Sequence, residues 1–136
     1  MRRILALALV VAPLALACSA GGDAGQGGAS APSYAADIEP LFQKRCGKCH
    51  GVEEAKAHLI LAPGKGYGEL VGKPAFQVPE LLRVKPGDAE ASYLWQKLQH
   101  TAREGKGMPR TLFGSKKLPE RELALIRSWI EAGAEP

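Results

Sequence analysis

The chain has 136 residues, 46% hydrophobic, 6% aromatic and 24% charged, with a formal net charge of +4. That length holds one ordinary domain and not two cores, and the basic excess, two charges of which belong to Arg2 and Arg3, never forms a run longer than two residues, which argues against a nucleic-acid-binding surface. With so few aromatic side chains, a domain of roughly 100 residues would gain much of its core from a large buried cofactor.

Residues 1–17 read as an export leader: Arg2 and Arg3 form a charged start, and Ile4 to Ala17 is apolar apart from Pro13. A transmembrane helix needs about 20 apolar residues, so this stretch is too short to span a bilayer comfortably. Ala15-Leu16-Ala17 makes a small-residue cleavage site, and the same cut leaves Cys18 at the new N-terminus. This resembles the lipobox of bacterial lipoproteins, with Ala15 where Leu is usual. Cysteine arithmetic favours acylation, because Cys18 would otherwise be an unpaired thiol in an oxidising compartment if the other two cysteines, Cys46 and Cys49, are engaged. Residues 18–33, rich in Gly, Ala and Ser, offer nothing large to bury and read as a flexible tether.

The folded part is expected over 34–136. Ser33 is a candidate N-cap, and Ile38, Leu41, Phe42 and Arg45-Cys46 recur at helical spacing, with Pro40 implying a late start or a kink. Between Gly51 and Gly87 four prolines and many glycines predict mostly loop, with Gly66 to Val71 as a short helical piece. Asp88 is the expected N-cap of a helix carrying Ala91, Leu94, Trp95 and Leu98 on one face and ending near His100. A loop follows from Thr101 to Leu118. Pro119 is then expected at N1 of a last helix with Leu123, Ile126, Trp129 and Ile130 on its apolar face and Gly133 as its C′ stop. No stretch shows sustained strand alternation, so the fold class expected is mostly α.

The chemistry concentrates in Cys46-Gly47-Lys48-Cys49-His50. Two thiols in this spacing can add to the two vinyl groups of one porphyrin, and the following imidazole can bind its iron, so the motif predicts one covalent haem c with His50 as proximal ligand. A thioredoxin-like pair belongs near a βαβ pattern, which is not visible, and a structural zinc would have to recruit the distant His58 or His100. Met108 is the one methionine outside the leader and lies in a Gly/Pro-rich loop 58 residues beyond His50, enough chain to reach the opposite face of the haem. His58 is too close in sequence to leave the proximal side readily, and His100 ends a predicted helix as a capping or solvated residue. Met108 is therefore the expected second iron ligand, with His100 or an open position as alternatives.

These residues resemble the class I cytochrome c family, and especially short planctomycete-type mono-haem modules. The resemblance runs from about Ala36 to Ala134 through Arg45–Gly51, Arg83-Val84-Lys85-Pro86-Gly87-Asp88, Ser92-Tyr93-Leu94 with Lys97-Leu98, Gly107-Met108-Pro109, and Ile126, Ser128-Trp129-Ile130 and Gly133-Ala134. It implies a cytochrome c-like helical fold around one covalent haem, first and last helices that cross near it, Trp129 at or near its pocket, and Pro63 as the nearest candidate to accept a hydrogen bond from the proximal imidazole. Leu118 departs from the pattern, standing where Ser or Thr commonly caps the last helix.

Histidine and methionine on opposite faces would leave iron no open position. The expected role is thus electron transfer by a monomer and not catalysis, in the periplasm or cell envelope, anchored to a membrane through lipid on Cys18. Alternatives are a haem subunit dedicated to one oxidoreductase, or an open-site haem enzyme or sensor if Met108 is not a ligand. Lys44, Lys48, Lys106, Lys116 and Lys117 flank the haem-binding segments and would suit an acidic redox partner protein.

Overall fold

The computed structural model describes residues 30–136. The leader, Cys18 and the tether up to residue 29 lie outside the described residues. Within them the structure is mixed, with helix as its main regular element and a small strand component. A π-helical turn, Tyr34–Ile38, leads into α1, Glu39–Cys46; the short α2, Gly66–Leu70, α3, Tyr93–Gln99, and α4, Glu120–Glu131, follow.

Ser33 does cap the first helical segment, its Oγ accepting from the Ala36 amide at 3.3 Å. Pro40 is accommodated as the second residue of α1, where its missing N–H forfeits little because first-turn amides lack intrahelical acceptors. Tyr34, Ile38 and Phe42, four residues apart, form one fully buried stripe across the π-turn and α1.

This stripe packs against α4, whose Leu123, Ile126, Trp129 and Ile130 are all buried. Polar contacts fix the pairing: the Tyr34 amide donates to the Glu135 carbonyl at 2.9 Å, the Trp129 indole donates to the same oxygen at 2.8 Å, and Arg45 grips Glu122 with two hydrogen bonds. The first and last helical segments are thus packed together, and α1 delivers Cys46 at its final position.

Two helix starts and one loop differ from expectation. Asp88 does not cap α3; its carboxylate accepts from the Ala91 amide at 2.9 Å and closes a turn. The helix starts at Tyr93 because the Ser92 hydroxyl is committed to the Asp88 carbonyl at 2.7 Å and to the Lys85 amide at 2.8 Å. Its C-terminal limit agrees, with His100 at φ 64° as the left-handed cap. Pro119 is the N-cap of α4 and not its first residue. The Thr101–Leu118 segment contains an unexpected antiparallel hairpin, β1 (Arg110–Thr111) with β2 (Gly114–Ser115), too short for alternation to show in sequence.

Candidate functional site

α1 ends at Cys46, and the chain turns at once: the Cys49 and His50 amides both donate to the Cys46 carbonyl at 3.0 Å. This turn places Cys46, Cys49 and His50 on successive positions of one tight bend. The Leu61 amide then donates to the His50 carbonyl at 2.6 Å, folding the following loop back over the imidazole.

His50 is buried, and its Nδ1 has no hydrogen-bond partner. Pro63 therefore does not accept from that nitrogen; the bonded contact of this loop with His50 is backbone to backbone, from Leu61. Burial lowers the imidazole pKa below its ordinary value, with the backbone of Leu59 and Lys56 acting in the opposite sense. The neutral ring, able to use a nitrogen lone pair as a ligand, is accordingly favoured.

Burial likewise pushes the Cys46 thiol up to about 12, Cys49 and Glu122 adding to the effect and Arg45 opposing it. Such a thiol holds almost no thiolate at neutral pH, which is the opposite of an activated exchange cysteine. Cys46 and Cys49 are both free. Among the described residues the strands form only the short hairpin, and no group of three or more His, Cys, Asp or Glu side chains is placed to hold a metal ion.

Cys46, His50 and Met108 line a single cleft. Its other walls are mostly apolar, with Leu59, Leu61, Leu70, Leu94 and Leu98 among them. A second concavity shares Cys46, His50 and Met108 and carries Cys49 and the hairpin residues Arg110 to Leu112. The structure thus brings together all four residues singled out in sequence.

The Met108 loop is held in place by α3 and its cap. The Met108 amide donates to the Lys97 carbonyl at 2.9 Å, and the Met108 carbonyl lies 3.0 Å from His100 Nε2. A Cβ on Gly107 would come 2.4 Å from the His100 ring, so only glycine permits this approach. Ser115 Oγ donates to the Gly107 carbonyl at 2.6 Å, tying the hairpin to the same loop. His100 is thus a brace for the loop carrying Met108. His58 stands apart from the cleft lining, its ring centroid 4.5 Å from that of Phe76.

Trp129 belongs to the helical core and not to the cleft wall. It is fully buried, with its ring centroid 5.6 Å from that of Tyr34. Its place on the apolar face of α4, opposite the Tyr34–Phe42 stripe, accounts for this. Conversely, Gln77, Arg83, Tyr93 and Lys97 line the cleft without having been assigned a role from sequence. Arg83, Tyr93 and Lys97 stood in the matching segments; Gln77 carried no signal, since it lies in a loop without periodicity.

The donor set and cleft fit a haem: a neutral buried imidazole, a loop-borne thioether, two free thiols on the same bend as the imidazole, and apolar walls. Comparison with family models, curated proteins and solved structures gave no match for this chain.

Proposed function

We propose that this protein is an exported mono-haem c-type cytochrome that carries electrons and does not catalyse a substrate reaction. The observation that carries the reading is the convergence of Cys46, His50 and Met108 on one largely apolar cleft, with Cys49 beside it. Cys46 and Cys49 would hold the macrocycle through thioethers, and His50 and Met108 would each supply a ligand to its iron. Bound there, haem provides one-electron exchange, and an imidazole with a thioether raises its potential relative to two imidazoles. The surrounding side chains do the rest: the leucine-rich wall excludes water, and the His100–Met108 contact keeps the loop ligand in place.

Lys44, Lys116 and Lys117 surround a concavity next to the hairpin, and Lys48 and Arg110 line the adjoining one; no carboxylate lines either. This cationic face suits an acidic redox partner; Lys106 is likewise exposed. Export to the periplasm or envelope and lipid attachment at Cys18 complete the reading.

Visible spectra of the purified protein and of Met108→Ala test it. The expected result is a reduced wild type that ignores carbon monoxide and a variant that binds it. Equal carbon monoxide binding by both would remove Met108 from the iron and favour an open-site haem protein.

A further inference from the structure

Lys97 is out of place for a lysine. It projects from α3 into the wall of the cleft, and the residue is only 6% exposed, although lysines are almost never buried without a partner. Its ammonium meets no carboxylate. It reaches only Gln77 Oε1 and the Glu104 carbonyl, both at 3.4 Å, the outer limit of a hydrogen bond.

Those same two oxygens are already in demand, because the Tyr93 hydroxyl lies 3.0 Å from the first and 2.8 Å from the second. The other cation of the wall is different: Arg83 is matched by the Glu69 carboxylate at 3.1 Å and by the carbonyls of Glu69 and His58. No Asp or Glu lines the cleft. Lys97 is therefore a buried positive charge without an opposing one, an arrangement that is costly unless an anion joins it.

Its position adds a direction. Cys46 and Met108 pack against the larger hydrophobic cluster, whereas Tyr93, over whose ring the ammonium sits at 5.4 Å, belongs with Ala75 and Val78 to a separate smaller one. The cleft runs from one cluster to the other. Gly105 lies against the ammonium: a Cβ there would come 2.5 Å from Lys97 Nζ and 2.6 Å from Gln77 Oε1. The cation is thus fixed at the end of the cleft served by the smaller cluster.

We infer that Lys97, flanked by Tyr93 and Gln77, is the seat for a carboxylate of the group bound in the cleft. This rests on the haem reading above, for which the carboxylate is a propionate, on the macrocycle edge away from the vinyl groups that the two thiols take. The Lys97 ammonium donates to the carboxylate in a charge-assisted hydrogen bond. The Gln77 amide can turn its nitrogen toward the same oxygens.

Resonance Raman spectra of the haem-loaded, full-length protein test this through the propionate bending band. Lys97→Met should shift the band and lower the reduction potential, since a nearby positive charge that disfavoured ferric iron is gone; Lys97→Arg should restore both at least in part. If Lys97→Met does not fold, the wild type still decides, through a nuclear Overhauser effect between the Lys97 ε-methylene and a propionate methylene. Covalent haem with an unshifted band in the folded variant, or with no such effect in the wild type, overturns the carboxylate seat alone. A protein purified without covalent haem overturns both readings.

Discussion

Replacing Tyr34 by Phe should stabilise this protein. The Tyr34 hydroxyl is buried and makes no hydrogen bond, and burial, with Glu39 and Cys46 nearby, raises its pKa well above the ordinary phenol value. The oxygen points at α2, where a Cβ on Gly66 would overlap it. An unsatisfied buried hydroxyl costs about 1–3 kcal/mol, so its removal should return about 1–2 kcal/mol after allowing for lost contacts at Gly66. For a domain of this size each kcal/mol is worth roughly 4–8 °C in Tm. Tyr34→Ala should do the reverse and cost about 3–5 kcal/mol, because the ring packs edge-on to Phe42 and Tyr67 and tilted against Trp129. Urea and thermal unfolding of the three proteins, followed by circular dichroism, would measure both. A Tyr34→Phe variant that loses 1 kcal/mol or more would show instead that the hydroxyl is satisfied.

Other consequences can be tested in the same way. The Arg45 hydrogen bonds hold the Glu122 carboxyl below the usual carboxylate range; its stabilising effect is therefore present above the unfolded value of about 4.3 and is lost as pH falls through the lower folded value. Acid titration of stability should accordingly be shallower for Glu122→Gln than for wild type in that window, and identical slopes would contradict the role of the pair. Gly107→Ala would drive a methyl group into the His100 ring and displace the Met108 loop, so the variant should bind carbon monoxide as Met108→Ala does, while its far-ultraviolet circular dichroism stays unchanged. The mass of the exported protein should include a lipid on Cys18, and an unmodified Cys18 would remove the anchor.

Much of the architecture was legible because local chemistry and tertiary packing agreed. Ser33, the spacing of Ile38 and Phe42, and the apolar face of α4 each marked an element that the fold then used. Asp88 misled because a good cap residue can close a turn as readily as begin a helix; the decision lay with Ser92, whose hydroxyl partners are set by the turn itself. Trp129, an aromatic residue on a helix face, suits core and pocket equally in sequence, and the packing of α4 on Tyr34 places it in the core. Within the site, Cys46, Cys49, His50 and Met108 were readable from residue type and spacing. Lys97 was not, since a lysine between Gln96 and Leu98 reads as a solvated position until its burial is known.

The proposed function stands on a covalent haem held by Cys46 and Cys49. It is tested most directly by extracting the exported protein with acidified acetone and recording the pyridine haemochrome spectrum and mass of what remains. Wild type should retain one haem per chain, and Cys46→Ala with Cys49→Ala should retain none. Haem that extracts completely from the wild type, or a chain mass without it, would contradict the account.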